Sequence, residues 1–153
     1  MAIVTHNLGM IARYAQRIYV MYAGRIIESG TVRQIFGNPL HPYTRGLLAC
    51  VPRLDMRKDQ KLTPIPGSPP NLIKLPKHCA FYERCSMARD ACKNSDAPQL
   101  MDAGEDHFAA CIRLKEIMNQ GAAPKFDTYR SAAFEDEDLL PKKHPGTDKE
   151  VHA

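Results

Sequence analysis

Four cysteines in one short stretch are the residues here whose type and spacing could do chemistry. Cys79, Cys85, Cys92 and Cys111 fall in the pattern C-x5-C-x6-C-x18-C, and only Cys50 lies outside it. A buried cysteine packs alone as a small hydrophobe, whereas thiolates gather where they share a soft metal centre or form disulfides. Disulfides suit a small secreted chain, but the N-terminus, MAIVTHNLGM, lacks the basic start and apolar core of a signal peptide. Structural zinc favours tight knuckles with two to four intervening residues, and the gaps here are wider. An iron–sulfur cubane is larger and is held by four thiolates, although this spacing is not a common ferredoxin pattern. Spacing alone therefore leaves iron–sulfur and zinc level, with disulfides or unligated thiols behind. His78 and His107 could each replace a thiolate, but a histidine beside a cysteine reads first as polar surface.

The elements that must position these thiols sit in a 153-residue chain with 44% hydrophobic residues, 12 prolines and no tryptophan. That is enough for a core, but not one running the full length. No run approaches the ~18 apolar residues of a membrane span, which predicts a soluble, cytosolic chain. The net charge of +4 is modest. Lysines and arginines neither cluster nor interleave with aromatics, so nucleic-acid binding is not indicated.

Ile3 and Val4 read as a strand that turns a corner at His6. A helix follows, with Leu8, Ile11, Ala12 and Ala15 on one face and Asn7 as its cap. Such a corner is where α/β sheets present ligand-binding groups. Locally, however, His6 reads first as a histidine held by nearby backbone. Residues 17–22 and 25–28 form a hairpin with Gly24 at its turn. Thr31 and Gln34 match a capping box. His41 and Pro42 open a further helix that carries Tyr43, Leu47, Leu48 and Val51, with Cys50 as a small core residue within it. Between Pro52 and Pro76 lie six of the 12 prolines. Leu62, Ile65, Leu72, Ile73 and Leu75 punctuate this segment as an extended strap on a folded surface. In the cysteine module, residues 83–91 predict a short helix, residues 96–100 an extended return, and residues 109–118 a final helix with Cys111 near its start. Beyond residue 120 the tail is expected to be disordered, with Phe134, Leu139 and Leu140 around an acidic block as a docking segment.

Taken in order, THNLG (residues 5–9), AQRIYVMYAGRIIESG (15–30), NPLHPYTRGLL (38–48) and IPGSPP (65–70) resemble the end of an ABC transporter nucleotide-binding domain. They are most similar to the ATP-binding subunits of oligopeptide and dipeptide importers, over roughly residues 2–113. The resemblance implies an α/β remnant of strand, helix, β-hairpin and helices, followed by a small irregular proline-rich cysteine domain. The corresponding divisions are 1–50, 51–115 and a tail at 116–153. It implies that Cys79, Cys85, Cys92 and Cys111 ligate a 4Fe–4S cluster, with zinc as the alternative, and that His6 is the switch histidine reaching the γ-phosphate of ATP. It also implies permease subunits and a second ATP-binding subunit as partners, at the inner face of the cell membrane. Asn7 stands where the family often has Asp, and Ser86 where it often has Pro. No G-x-x-x-x-G-K-[ST] loop, LSGGQ-like signature or carboxylate-ended strand occurs in the chain. ATP and magnesium binding are therefore expected only together with an upstream part, Met1 is expected to be internal, and the chain alone is expected to be inactive. The other reading is a free-standing zinc or iron–sulfur interaction module with no ATPase role.

Overall fold

The hairpin predicted from the sequence is the centre of the fold. In the computed structural model, which describes residues 2–6, 8–50 and 64–120, β1 (Arg17–Tyr22) and β2 (Arg25–Thr31) pair antiparallel, with a register shift between Val20 and Met21. Ala23 and Gly24 both take positive φ, 50° and 77°, the geometry of a two-residue turn that matches strand twist. Alternation along β1 buries Ile18, Val20 and Tyr22 and exposes Tyr19 and Met21.

Helix α1 (Leu8–Tyr14) buries Ala12 and rests Leu8, Ile11 and Ala15 against the same core. The expected strand before it is not formed: residues 2–6 carry no ladder, and Val4 is 99% exposed. A parallel strand needs neighbours to pair its backbone and cover both faces, and none lies beside this segment among the described residues. Asn7, the expected cap, lies outside the described residues.

Helix α2 (Val32–Gly37) opens with the capping box predicted from Thr31 and Gln34. Helix α3 (Pro42–Ala49) starts with His41, whose Nδ1 accepts from the Tyr43 N–H at 3.1 Å. Cys50 is the residue that ends this helix and is half-buried, not an interior core residue. Of the proline-rich strap, residues 51–63 and with them Leu62 lie outside the described residues. Ile65 packs against the core, and Arg84 holds the strap by donating to Pro66 O at 2.9 Å and Ile65 O at 3.3 Å. Leu72 and Ile73 point to solvent, contrary to the strap reading.

The cysteine module adds a 3-10 turn (Tyr82–Arg84), α4 (Asp90–Lys93), β3 (Met101–Asp102), β4 (Phe108–Ala109) and α5 (Leu114–Asn119). The helix expected over 83–91 is broken because Cys85 and Arg89 adopt extended backbone. The helix expected from 109 begins later, because Ala109 pairs with Glu28 and Met101, and the Ala110 N–H donates to Ile27 O at 2.8 Å. The result is one sheet in the order β1-β2-β4-β3, with strands from both the hairpin and the cysteine module. No described helix is long and apolar enough to cross a membrane.

Candidate metal centre

Each predicted thiol ligand stands at a tight turn. Tyr82 N–H donates to Cys79 O at 3.0 Å, Ala88 N–H to Cys85 O at 3.0 Å and Leu114 N–H to Cys111 O at 2.9 Å. Cys92 ends a turn by donating its own N–H to Arg89 O at 2.8 Å. These turns also aim backbone donors at sulfur. Phe81 and Tyr82 N–H face the Cys79 thiol, Met87 N–H the Cys85 thiol and Arg113 N–H the Cys111 thiol. Donors in that position favour a thiolate, which is the ligating form.

The structure brings all four cysteines, 79, 85, 92 and 111, onto one cavity, together with His41, Phe81, Met87, Arg113 and Ile117. Burial outweighs the donors: desolvation raises the Cys79 and Cys85 thiols above their ordinary value and pushes Cys111 up to about 11. The cavity measures ≈ 20 Å³, room for about one water-sized sphere. No three His, Cys, Asp or Glu side chains among the described residues are arranged to hold a single metal ion. The four thiols thus line one space without forming a ready-made single-ion site among the described residues. What fits a soft metal is the donor set: four thiols on one cavity, three of them met by backbone N–H groups.

Two residues joined to His41 of the cavity wall carry less obvious sequence signals. Glu28 is fully buried, and its carboxylate accepts from Leu40 N–H at 2.7 Å, His41 N–H at 2.9 Å and His107 Nε2 at 2.9 Å. His107 is thus buried against a carboxylate, where the sequence suggested polar surface. His78 is half-buried, with Nδ1 3.1 Å from Cys79 O and its ring edge-on to Tyr82. Burial holds His41 down to about 4, against weaker raising effects from Glu28 and a hydrogen bond to the Ala110 backbone. It is therefore a neutral imidazole at pH 7, with Nδ1 accepting from the helix. His6 stands exposed at a bend before α1, away from the residues lining the thiol cavity.

Comparison with known proteins bears on both ends of this arrangement. Residues 27–92 match the family model described as the oligopeptide/dipeptide transporter, C-terminal region. Over this segment the chain is similar to that family. A Brucella ovis protein provisionally named a peptide import ATP-binding protein is 52% identical over 122 residues, covering 76% of this chain and 36% of the relative. The oligopeptide transport ATP-binding protein OppD of Mycobacterium tuberculosis is 45% identical over 128 residues, covering 84% of this chain and 20% of the relative. OppD of Salmonella typhimurium is 46% identical over 113 residues, covering 74% and 33%. The chain thus spans about a third or less of the length of these relatives. The matched segment runs from β2 through α3 and the strap to Cys92, three of the four thiols included.

Proposed function

We propose that this chain acts as the C-terminal part of the energy-coupling, ATP-binding subunit of a peptide importer. Supporting this is the identity of 45–52% to proteins named for peptide import or oligopeptide transport ATP binding, over most of this chain. In this reading the exposed His6 corner reaches the γ-phosphate of ATP, which with magnesium is held by a phosphate-binding loop from the longer protein. An imidazole N–H there donates to an oxygen that gains charge during transfer. The subunit works at the cytoplasmic face beside permease subunits and a second ATP-binding subunit, and no nucleic acid is involved. Lacking the phosphate loop, the 153 residues alone turn over no ATP.

The observation that carries the second half of the proposal is the shared cavity of Cys79, Cys85, Cys92 and Cys111. These four would hold a 4Fe–4S cluster. When bound, such a group supplies four strong metal–thiolate links across a segment poor in regular structure, and with them a redox couple. The chain's own part is to present the thiols from tight turns, aim N–H donors at three of them and exclude water with Phe81, Met87 and Ile117. The cluster's default role is to cross-link these loops.

Metal and sulfide analysis of protein purified without oxygen, wild type beside Cys85→Ser, tests it. About four irons with matching sulfide and a brown absorbance, lost in the variant, is the expected outcome. One zinc and a colourless sample would instead make this a zinc module, and thiols that take up neither metal would remove the centre altogether.

A further inference from the structure

Arg113 is buried, at 8% exposure, on the wall of the thiol cavity, and its guanidinium spans two of the turns that carry the cysteines. Its own turn begins at Cys111, where Leu114 N–H closes on Cys111 O. From there Nη1 donates to Met87 O, in the turn that begins at Cys85. Nε and Nη2 both donate to Glu116 Oε2, at 3.0 and 2.7 Å, which locks the fork in place. Arg89 approaches the same carboxylate at 3.7 Å from an exposed position. Two arginines and one glutamate therefore leave one net positive charge beside four thiols, with only Arg113 of the three lining the cavity.

A group held by four thiolates carries net negative charge in a partly buried place, and its more reduced form carries more. A fixed cation nearby favours the reduced form and eases the gathering of thiolates. Lysine could supply the charge but not the planar fork that joins Met87 O to Glu116.

We propose that Arg113 is the positioning residue of the cysteine centre: it ties the Cys85 turn to the Cys111 turn and holds positive charge against whatever the four thiols bind. The inference rests on the iron–sulfur reading above. It separates into two effects, geometry through Met87 and charge through the guanidinium, and different variants remove them.

The full chain is reconstituted without oxygen using ferrous iron and sulfide, as wild type, Arg113→Gln, Arg113→Lys and Glu116→Gln. Iron release to a chelator and the midpoint potential, titrated with dithionite, are then measured. Arg113→Gln is expected to release iron several-fold faster and to shift the potential to more negative values. Arg113→Lys should keep the potential near wild type while still releasing iron faster. Glu116→Gln, at a half-exposed surface position that threatens folding little, should shift the potential the opposite way, since it removes the neutralising carboxylate. Opposite shifts cannot come from simple loosening. If wild type loads iron and sulfide while all three variants match it in release and potential, the Arg113 proposal is overturned and the centre stands. A wild-type chain that loads neither overturns the centre, and the role of Arg113 with it.

Discussion

Glu28 ties together three separate parts of the chain. Its carboxylate satisfies two backbone N–H groups at the entry to α3 and meets His107 across 79 residues of sequence. Glu28→Ala would strand these donors out of water, each at a cost of about 1–3 kcal/mol. The sum, on the order of 3–9 kcal/mol, rivals the whole stability of a small domain. Urea unfolding should show Glu28→Ala close to unfolded and Glu28→Gln, which keeps one acceptor oxygen, losing roughly half as much. His41 supplies a pH dependence of definite sign. Its folded value of about 4 lies below the ordinary 6.5, so the unfolded chain binds the extra proton. Stability from this group is full above pH 6.5 and is lost as pH falls towards 4, by on the order of 3 kcal/mol. His41→Asn keeps a capping side chain but cannot titrate. It should be less stable at pH 7, having lost the ring contact with Phe81, and show a flatter acid limb in denaturant titrations against pH.

At the scale of elements, the hairpin turn offers a gain. Ala23 holds φ at 50°, where a Cβ costs roughly 1 kcal/mol that asparagine partly recovers. Ala23→Asn, giving the favoured Asn-Gly pair, should stabilise the chain by roughly 0.5–1 kcal/mol in thermal or urea unfolding. A denaturation midpoint unchanged or lowered would show that the contact of Ala23 with the core outweighs its backbone strain. The elements read correctly from sequence are those set by neighbours in the chain. Thr31 and Gln34 are three apart, His41 and Pro42 adjacent, and the β1–β2 turn is two residues long. The elements missed depend on distant partners. Strands β3 and β4 have two residues each and exist only because Glu28 and Ser29 offer a free edge to Ala109 and Phe108. The strand expected at Ile3 and Val4 failed for the converse reason, since its β-branched residues found no edge to join. At the site, the spacing of the cysteines marked all four cavity thiols. Nothing in one-dimensional spacing could pair Glu28 with His107, or turn Arg113 back towards Met87.

For the whole molecule, the sheet β1-β2-β4-β3 decides how a metal centre would be felt elsewhere. Strand β4 ends two residues before Cys111 and lies against β2, whose Glu28 binds both α3 and His107. Turns that close on a bound metal should therefore hold β4 in place, and β4 should hold β2. Loading would also draw protons off the thiols, since burial raises the Cys79, Cys85 and Cys111 thiols above their ordinary value. Uptake should strengthen as pH rises from 6 to 8 and be accompanied by proton release. Because only the folded state gathers the four thiolates, binding adds to folding stability. Hydrogen exchange on metal-free and anaerobically reconstituted protein tests how far that stabilisation travels. Amides of residues 25–31 should slow together with those of residues 108–117, because opening β2 breaks the β4 ladder and the Glu28 bonds in one event. Slowing confined to residues 79–117 would mean that β2 opens independently of the cysteine turns, and that the shared sheet does not transmit the metal's hold to the hairpin.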